Sequence, residues 1–317
     1  MEQLYPLLKS VAIFFILVLF VNLLKRRGIL HESYEPVFSR LVTELALPVT
    51  IFSTLAVSTI HSAQLLSAAI MFVAIMICCF LAYLTSRAMR LPPSVTGSLV
   101  LLAGWGSTST LAYPLIRQTF GINSEAMTLG LLINEFGAII PLFTLGILMA
   151  AYFGSCEENK KPEVWPVIRN FFVSPIFISF VSGLAVSQIP LASSFMSEKF
   201  WVTFFGYFTN GLEILVAASI GLMLRPAHVR DVLPLFFLIV GLKLFLHPIL
   251  VLYGASIASL SALPTEILVV EAAMPSGAIA AVIAARYECD GRLASTIVVA
   301  TYLVSLLTIP IVTYFSV

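Results

Sequence analysis

The chain has 317 residues, 60% hydrophobic and 10% charged, with a formal net charge of +1 and a mean hydropathy of +1.04. A soluble domain carries roughly 25% charged residues. So few charges cannot cover a water-exposed surface, which excludes a soluble enzyme, a nucleic-acid-binding protein and a disordered chain and leaves an all-α polytopic membrane protein.

A spanning helix needs about 20 mostly apolar residues. Windows of that kind predict ten transmembrane helices, at 7–24, 41–58, 65–84, 95–115, 126–152, 171–187, 202–224, 232–253, 265–285 and 294–315. The second is interrupted by Glu44 and Pro48. The runs are continuous rather than alternating and too long for strands, which argues against a β-barrel. Of the 17 Lys and Arg residues, all but Lys9, Arg117, Lys199 and Lys243 fall in the odd-numbered connections. By the positive-inside rule those connections are cytoplasmic and both termini lie outside. The basic cluster Lys25-Arg26-Arg27 follows the first apolar run instead of preceding it, unlike a cleaved signal peptide.

The longest polar connection begins at Gly154 and divides the spans five and five, giving a first repeat at 1–153, a cytoplasmic linker at 154–170 and a second repeat at 171–317. A duplicated unit with an odd number of spans inserts its second copy upside down, as in many secondary transporters. Cys78 and Cys79 lie in an apolar run, Cys156 and Cys289 in connections; none has metal-ligand spacing, and reduced thiols are expected.

At corresponding places the fourth and ninth spans carry small, hydroxyl and proline residues: Gly104-Trp-Gly-Ser-Thr-Ser-Thr-Leu-Ala-Tyr-Pro114 and Glu271-Ala-Ala-Met-Pro-Ser-Gly277. Proline and glycine weaken a helix. Broken helices at membrane depth persist only where protein or a wet cavity surrounds them. If the two breaks cross, the half-helix N-termini face one spot and favour an anionic group there. The predicted substrate-binding set is Ser107, Thr108, Ser109, Thr110, Tyr113, Pro114, Pro275, Ser276 and Gly277, with Tyr113 walling the site.

Ionisable groups inside spans are costly and point to function. Glu135, Glu213, Lys243, His247 and Glu271 lie near span centres. Lys243 and His247, four residues apart, share a helical face. Lys243 either forms a structural ion pair with a glutamate or lends positive charge to the anion site. Glu271, one turn before the break, is the first choice for a coupling residue. Glu135 with its neighbour Asn134 is second, and Glu213 is assigned a structural role. A proton would suit a buried carboxylate. A sodium ion would instead take Glu271 together with carbonyls freed by Pro275; no other cofactor is expected.

The run from Glu271 to Thr296, the stretch Leu303-Val-Ser-Leu-Leu-Thr-Ile-Pro310, the Lys243…Pro248 pattern and Leu45-Ala-Leu-Pro48 resemble the auxin efflux carrier family, whose bacterial members are often described as malate or malonate permeases. The resemblance implies crossed fourth and ninth helices, a scaffold of spans 1, 2, 6 and 7, a moving unit of spans 3–5 and 8–10, and a homodimer in a bacterial inner membrane. Many relatives carry Asn where this chain has Ser107 and Ile279. The segment around Glu271 also resembles the bile-acid–sodium symporters. The reading is therefore a secondary transporter of small organic anions coupled to protons or sodium. The alternatives are a sodium-coupled symporter of a larger amphipathic acid and a membrane sensor built on the same fold.

Overall fold

The computed structural model describes residues 4–57, 62–112, 115–116, 120, 125–155, 169, 172–223 and 229–316. Among these the regular structure is helical: α1 (Leu4–Arg26), α2 (Glu35–Arg40), α3 (Leu47–Ala56), α4 (Ser62–Ala88), α5 (Pro93–Gly104), α6 (Glu125–Leu132), α7 (Ile147–Ser155), α8 (Pro175–Ser187), α9 (Pro190–Met196), α10 (Lys199–Met223), α11 (Val229–Ile239), α12 (His247–Ile257), α13 (Ala262–Ala272), α14 (Ala278–Arg286) and α15 (Gly291–Ser316). Six stretches of described residues are long and apolar enough to cross a bilayer: Glu32–Ser53, Leu65–Ala88, Ile133–Ser155, Lys199–Leu222, Val232–Ile257 and Gly291–Val312. The pair α8–α9 passes the same test together but bends by 106°.

Several of these stretches are α-helices joined end to end through wider π-helical turns, at Leu41–Ala46, Thr108–Ala112, Ile133–Ile139, Leu142–Gly146 and Val240–Leu246. Four of the five end two residues before a proline: Pro48, Pro114, Pro141 and Pro248. The cause is local. A proline ring lacks the N–H for the i−4 carbonyl and pushes that carbonyl away, and the preceding turn relaxes to the i−5 pattern. Pro234 and Pro310 sit inside helices without this effect. The wider turns carry Thr108, Asn134, Glu135 and Lys243, four of the polar groups buried in the protein, and the exposed Glu44.

α1 packs on α10, and α3 packs on α8 and α10. Gly221 lets α10 lie close to the backbone of Val18 and the side chain of Val21, in keeping with the small residues favoured between membrane helices. A second group forms around α4, which touches α5, α12 and the turn Ile133–Ile139, while α13 and α14 both pack on α15. The groups meet where α14 touches α2 and α10, and where α15 touches α1. Two exposed ion pairs reinforce that contact, Arg286–Glu44 at 3.0 Å and Arg292–Glu32 at 2.8 Å. Glu44 thus faces outward to an arginine on a neighbouring helix. Cys289, expected in an open connection, is buried and directs its thiol to the Ala150 carbonyl.

Candidate functional site

The two predicted breaks meet. α5 stops at Gly104 and α13 at Ala272; residues 105–107 run extended on one side, and on the other a turn at Ala273 and Met274 leads into an extended 275–277 before Ala278. The extended segments lie antiparallel, bridged at Gly106 and Ser276. The Ser107 amide donates to the Pro275 carbonyl (2.9 Å) and the Gly277 amide to the Trp105 carbonyl (2.8 Å). Each break therefore satisfies backbone groups that the other exposes, as a non-helical segment at membrane depth requires. With 12 residues in α5, 11 in α13 and 9 in α14, none of these pieces can cross a hydrocarbon layer of about 30 Å alone, at 1.5 Å per residue. Glycine permits the contact. A Cβ on Gly277 would sit 3.2 Å from both the Gly106 and Trp105 carbonyls, and one on Gly106 would sit 3.0 Å from Lys243 Cε.

The predicted hydroxyls divide into those that build the crossing and one that looks elsewhere. Ser107 Oγ accepts from the Ala278 amide (3.1 Å), capping α14, and donates to the Ser276 carbonyl (3.2 Å). Ser276 Oγ donates to the Leu102 carbonyl (2.9 Å). Thr108 Oγ1 donates instead to Asn134 Oδ1 of the neighbouring wide turn. The backbone of Ser109 and Thr110 continues the π turn from Thr108. Tyr113 and Pro114 lie outside the described residues. The fourth span breaks at Trp105–Ser107, at the start of the motif, where the glycines of Gly-Trp-Gly flank the turn.

A small cavity lies at the start of the second half-helices, lined by Trp105, Ser107, Thr108, Ala278, Ile279 and Ala280 among others. Its volume is about 10 Å³, room for roughly one water. The amides of Ile279 and Ala280 belong to the first turn of α14, ahead of the i−4 ladder, and carry the positive end of its dipole.

The opposite side of the crossing has the opposite polarity. Lys243, buried to 1% exposure, brings Nζ to 2.6 Å from His247 Nδ1, 3.4 Å from the Ala272 carbonyl and 3.5 Å from the Gly104 carbonyl. Those carbonyls end α13 and α5, the negative ends of both first half-helices. His247 Nδ1 also lies 3.1 Å from the Ala272 carbonyl. The ion pair weighed for Lys243 does not form: no described carboxylate comes within 4 Å of its ammonium.

Glu271 is fully buried and neither carboxylate oxygen has a hydrogen-bond partner. Its Oε1 faces Gly130 of α6. Of the carbonyls around the Pro275 break, that of Ala272 accepts from Lys243, that of Pro275 from the Ser107 amide and that of Glu271 from the Met274 amide. Asn134 and Glu135 are buried on the wide turn of the fifth span, with Asn134 Nδ2 3.5 Å from Glu135 Oε1. The side chain of Glu213 lies outside the described residues.

The family described as Membrane transport protein matches residues 6–313. The chain belongs to this family, that of the auxin efflux carriers. Two curated relatives span nearly the same length. An uncharacterized transporter of Methanocaldococcus jannaschii is 27% identical over 94% of this chain and 95% of its own. An uncharacterized transporter of Methanothermobacter thermautotrophicus is 25% identical over 93% and 94%. The protein is thus a multi-pass membrane transporter and not an enzyme.

One contributor to this transporter's crossing escaped the sequence reading. Trp105 is buried, its carbonyl accepts from Gly277, and its indole Nε1 donates to the Ala138 carbonyl at 2.8 Å. It locks the fourth-span break to the fifth span. The available signal was a tryptophan between two glycines in an apolar run.

Proposed function

We propose that this carrier moves small organic anions, carboxylates above all, by alternating access around the crossing, with Glu271 carrying the coupling proton. The carrying observation is the polarity of the crossing: the α14 N-terminus faces a small cavity, while the C-termini of α5 and α13 are neutralised on the far side by Lys243. Free N–H groups at a helix start suit a carboxylate. Thr108 and the backbone at Ile279 and Ala280 would hold it, and Ser107, Pro275, Ser276 and Gly277 would keep the half-helices in register. Ten spans in two inverted five-helix repeats fit the charge pattern of the connections. Within that scheme α1–α3 and α8–α10 form the scaffold, and the remaining helices move. Arg286 and Arg292 then lie on the cytoplasmic side, both termini outside, and a homodimer would form through the scaffold.

A proton is favoured over sodium because the Glu271, Ala272 and Pro275 carbonyls already have donors. A buried carboxylate with no hydrogen bond is costly unless a proton or cation accompanies it.

Purified protein screened by thermal shift against malonate, malate, succinate, acetate and cholate, at several pH values, tests this. Stabilisation by dicarboxylates, strengthening as pH falls, is expected; at a hundredfold excess over Kd it amounts to about 2.7 kcal/mol. Stabilisation by cholate alone would transfer the assignment to the larger acids. Silence toward every anion would favour the sensor.

A further inference from the structure

The cation side of the crossing has the makings of an alkali-ion site. Two helices end there head to head, with the Gly104 and Ala272 carbonyls converging on one point and the Met274 carbonyl 3.4 Å from the position a Gly106 Cβ would take. Helix C-termini and unwound carbonyls are what membrane proteins use to hold a small cation. Here that point is taken by a side chain. An ammonium has three donors and no acceptor, and the three groups within 3.5 Å of Lys243 Nζ, two carbonyls and an imidazole nitrogen, can each accept. The amine arrives on the wide turn Val240–Leu246, two residues ahead of Pro248.

We propose that the Lys243 ammonium is the resident monovalent cation of the crossing, and that removing it leaves a seat which binds a small free cation, sodium or methylammonium. The lysine is covalently held, so its charge does not leave during the cycle, and the native protein needs no sodium at this point. The inference goes beyond the anion-transport reading and does not use it, because no organic anion enters the test.

The test is thermal unfolding of purified Lys243→Ala protein in sodium, methylammonium or choline chloride at equal ionic strength, with native protein and Lys243→Met beside it. Sodium and methylammonium should each raise the Tm of Lys243→Ala by roughly 2 °C or more over choline. Native protein should show no difference among the salts, because its seat is filled. Lys243→Met, which fills the volume without a charge, should respond to neither ion. A well-folded Lys243→Ala that ignores both cations overturns the proposal. So does native protein stabilised by sodium over choline, a measurement that stands even where Lys243→Ala does not fold. An equal sodium response in Lys243→Met would also overturn it, since the ion would then bind elsewhere. Loss of carboxylate binding in the earlier screen would leave these results untouched.

Discussion

Ser107 does two jobs with one hydroxyl, capping the Ala278 amide and reaching the Ser276 carbonyl. Ser107→Ala should therefore lower stability by about 1–2 kcal/mol, read from the Tm of the purified protein. Ser107→Thr, which keeps the oxygen, should recover part of it. Glu271 should behave differently. Glu271→Gln removes a carboxylate that no neighbour hydrogen-bonds, so Tm should hold or rise while uptake into proteoliposomes loses its dependence on the pH gradient. A variant that keeps full, pH-dependent uptake would remove Glu271 from the coupling step. Sequence could nominate both residues because hydroxyls and acids are rare in apolar runs. It could not assign their tasks, because the groups that surround Ser107 and Glu271 come from other helices.

The element of interest is the proline-terminated wide turn. The turn Val240–Leu246 delivers Lys243 to the crossing, and the turn Ile133–Ile139 delivers Asn134 to Thr108. Replacing Pro248 with Ala restores an N–H to the ladder and lets the turn tighten. The helix should persist, with unchanged helical content by circular dichroism, while the lysine shifts in register and uptake falls at least severalfold. Preserved uptake at the native rate would mean that the wide turn is a packing detail. Each proline was visible in the chain. That Pro48, Pro114, Pro141 and Pro248 follow a widened turn while Pro234 and Pro310 do not was not, since the outcome depends on what packs against the strained carbonyls.

For the whole molecule, the question is what holds the two helix groups in the arrangement seen. Arg286–Glu44 and Arg292–Glu32 bridge them through partly exposed side chains, and such pairs are worth about 0.2–1 kcal/mol each. Together they shift a two-state balance by about 2- to 30-fold, enough to bias a carrier without locking it. Neutralising both arginines should raise the rate at which a cysteine placed at Ser39, buried on α2, reacts with a maleimide. High salt should do the same to the native pairs. An unchanged rate in both cases would mean that packing of α14 on α2 holds the groups.

The chain by itself determined the membrane class and the positions of the two weak points in apolar helices, because composition and proline placement are local properties; the family showed through the resemblance of runs such as that from Glu271 to Thr296. Tertiary structure decided the rest. It put the fourth-span break at Trp105–Ser107, paired it with Pro275–Gly277, and gave the Glu271 neighbourhood's carbonyls to Lys243 and Ser107. It also turned Lys243, for which the sequence left a glutamate partner and the anion site both open, toward two helix ends. A buried charge settles where the summed field of dipoles and carbonyls is most favourable, and that field exists only once distant segments have crossed.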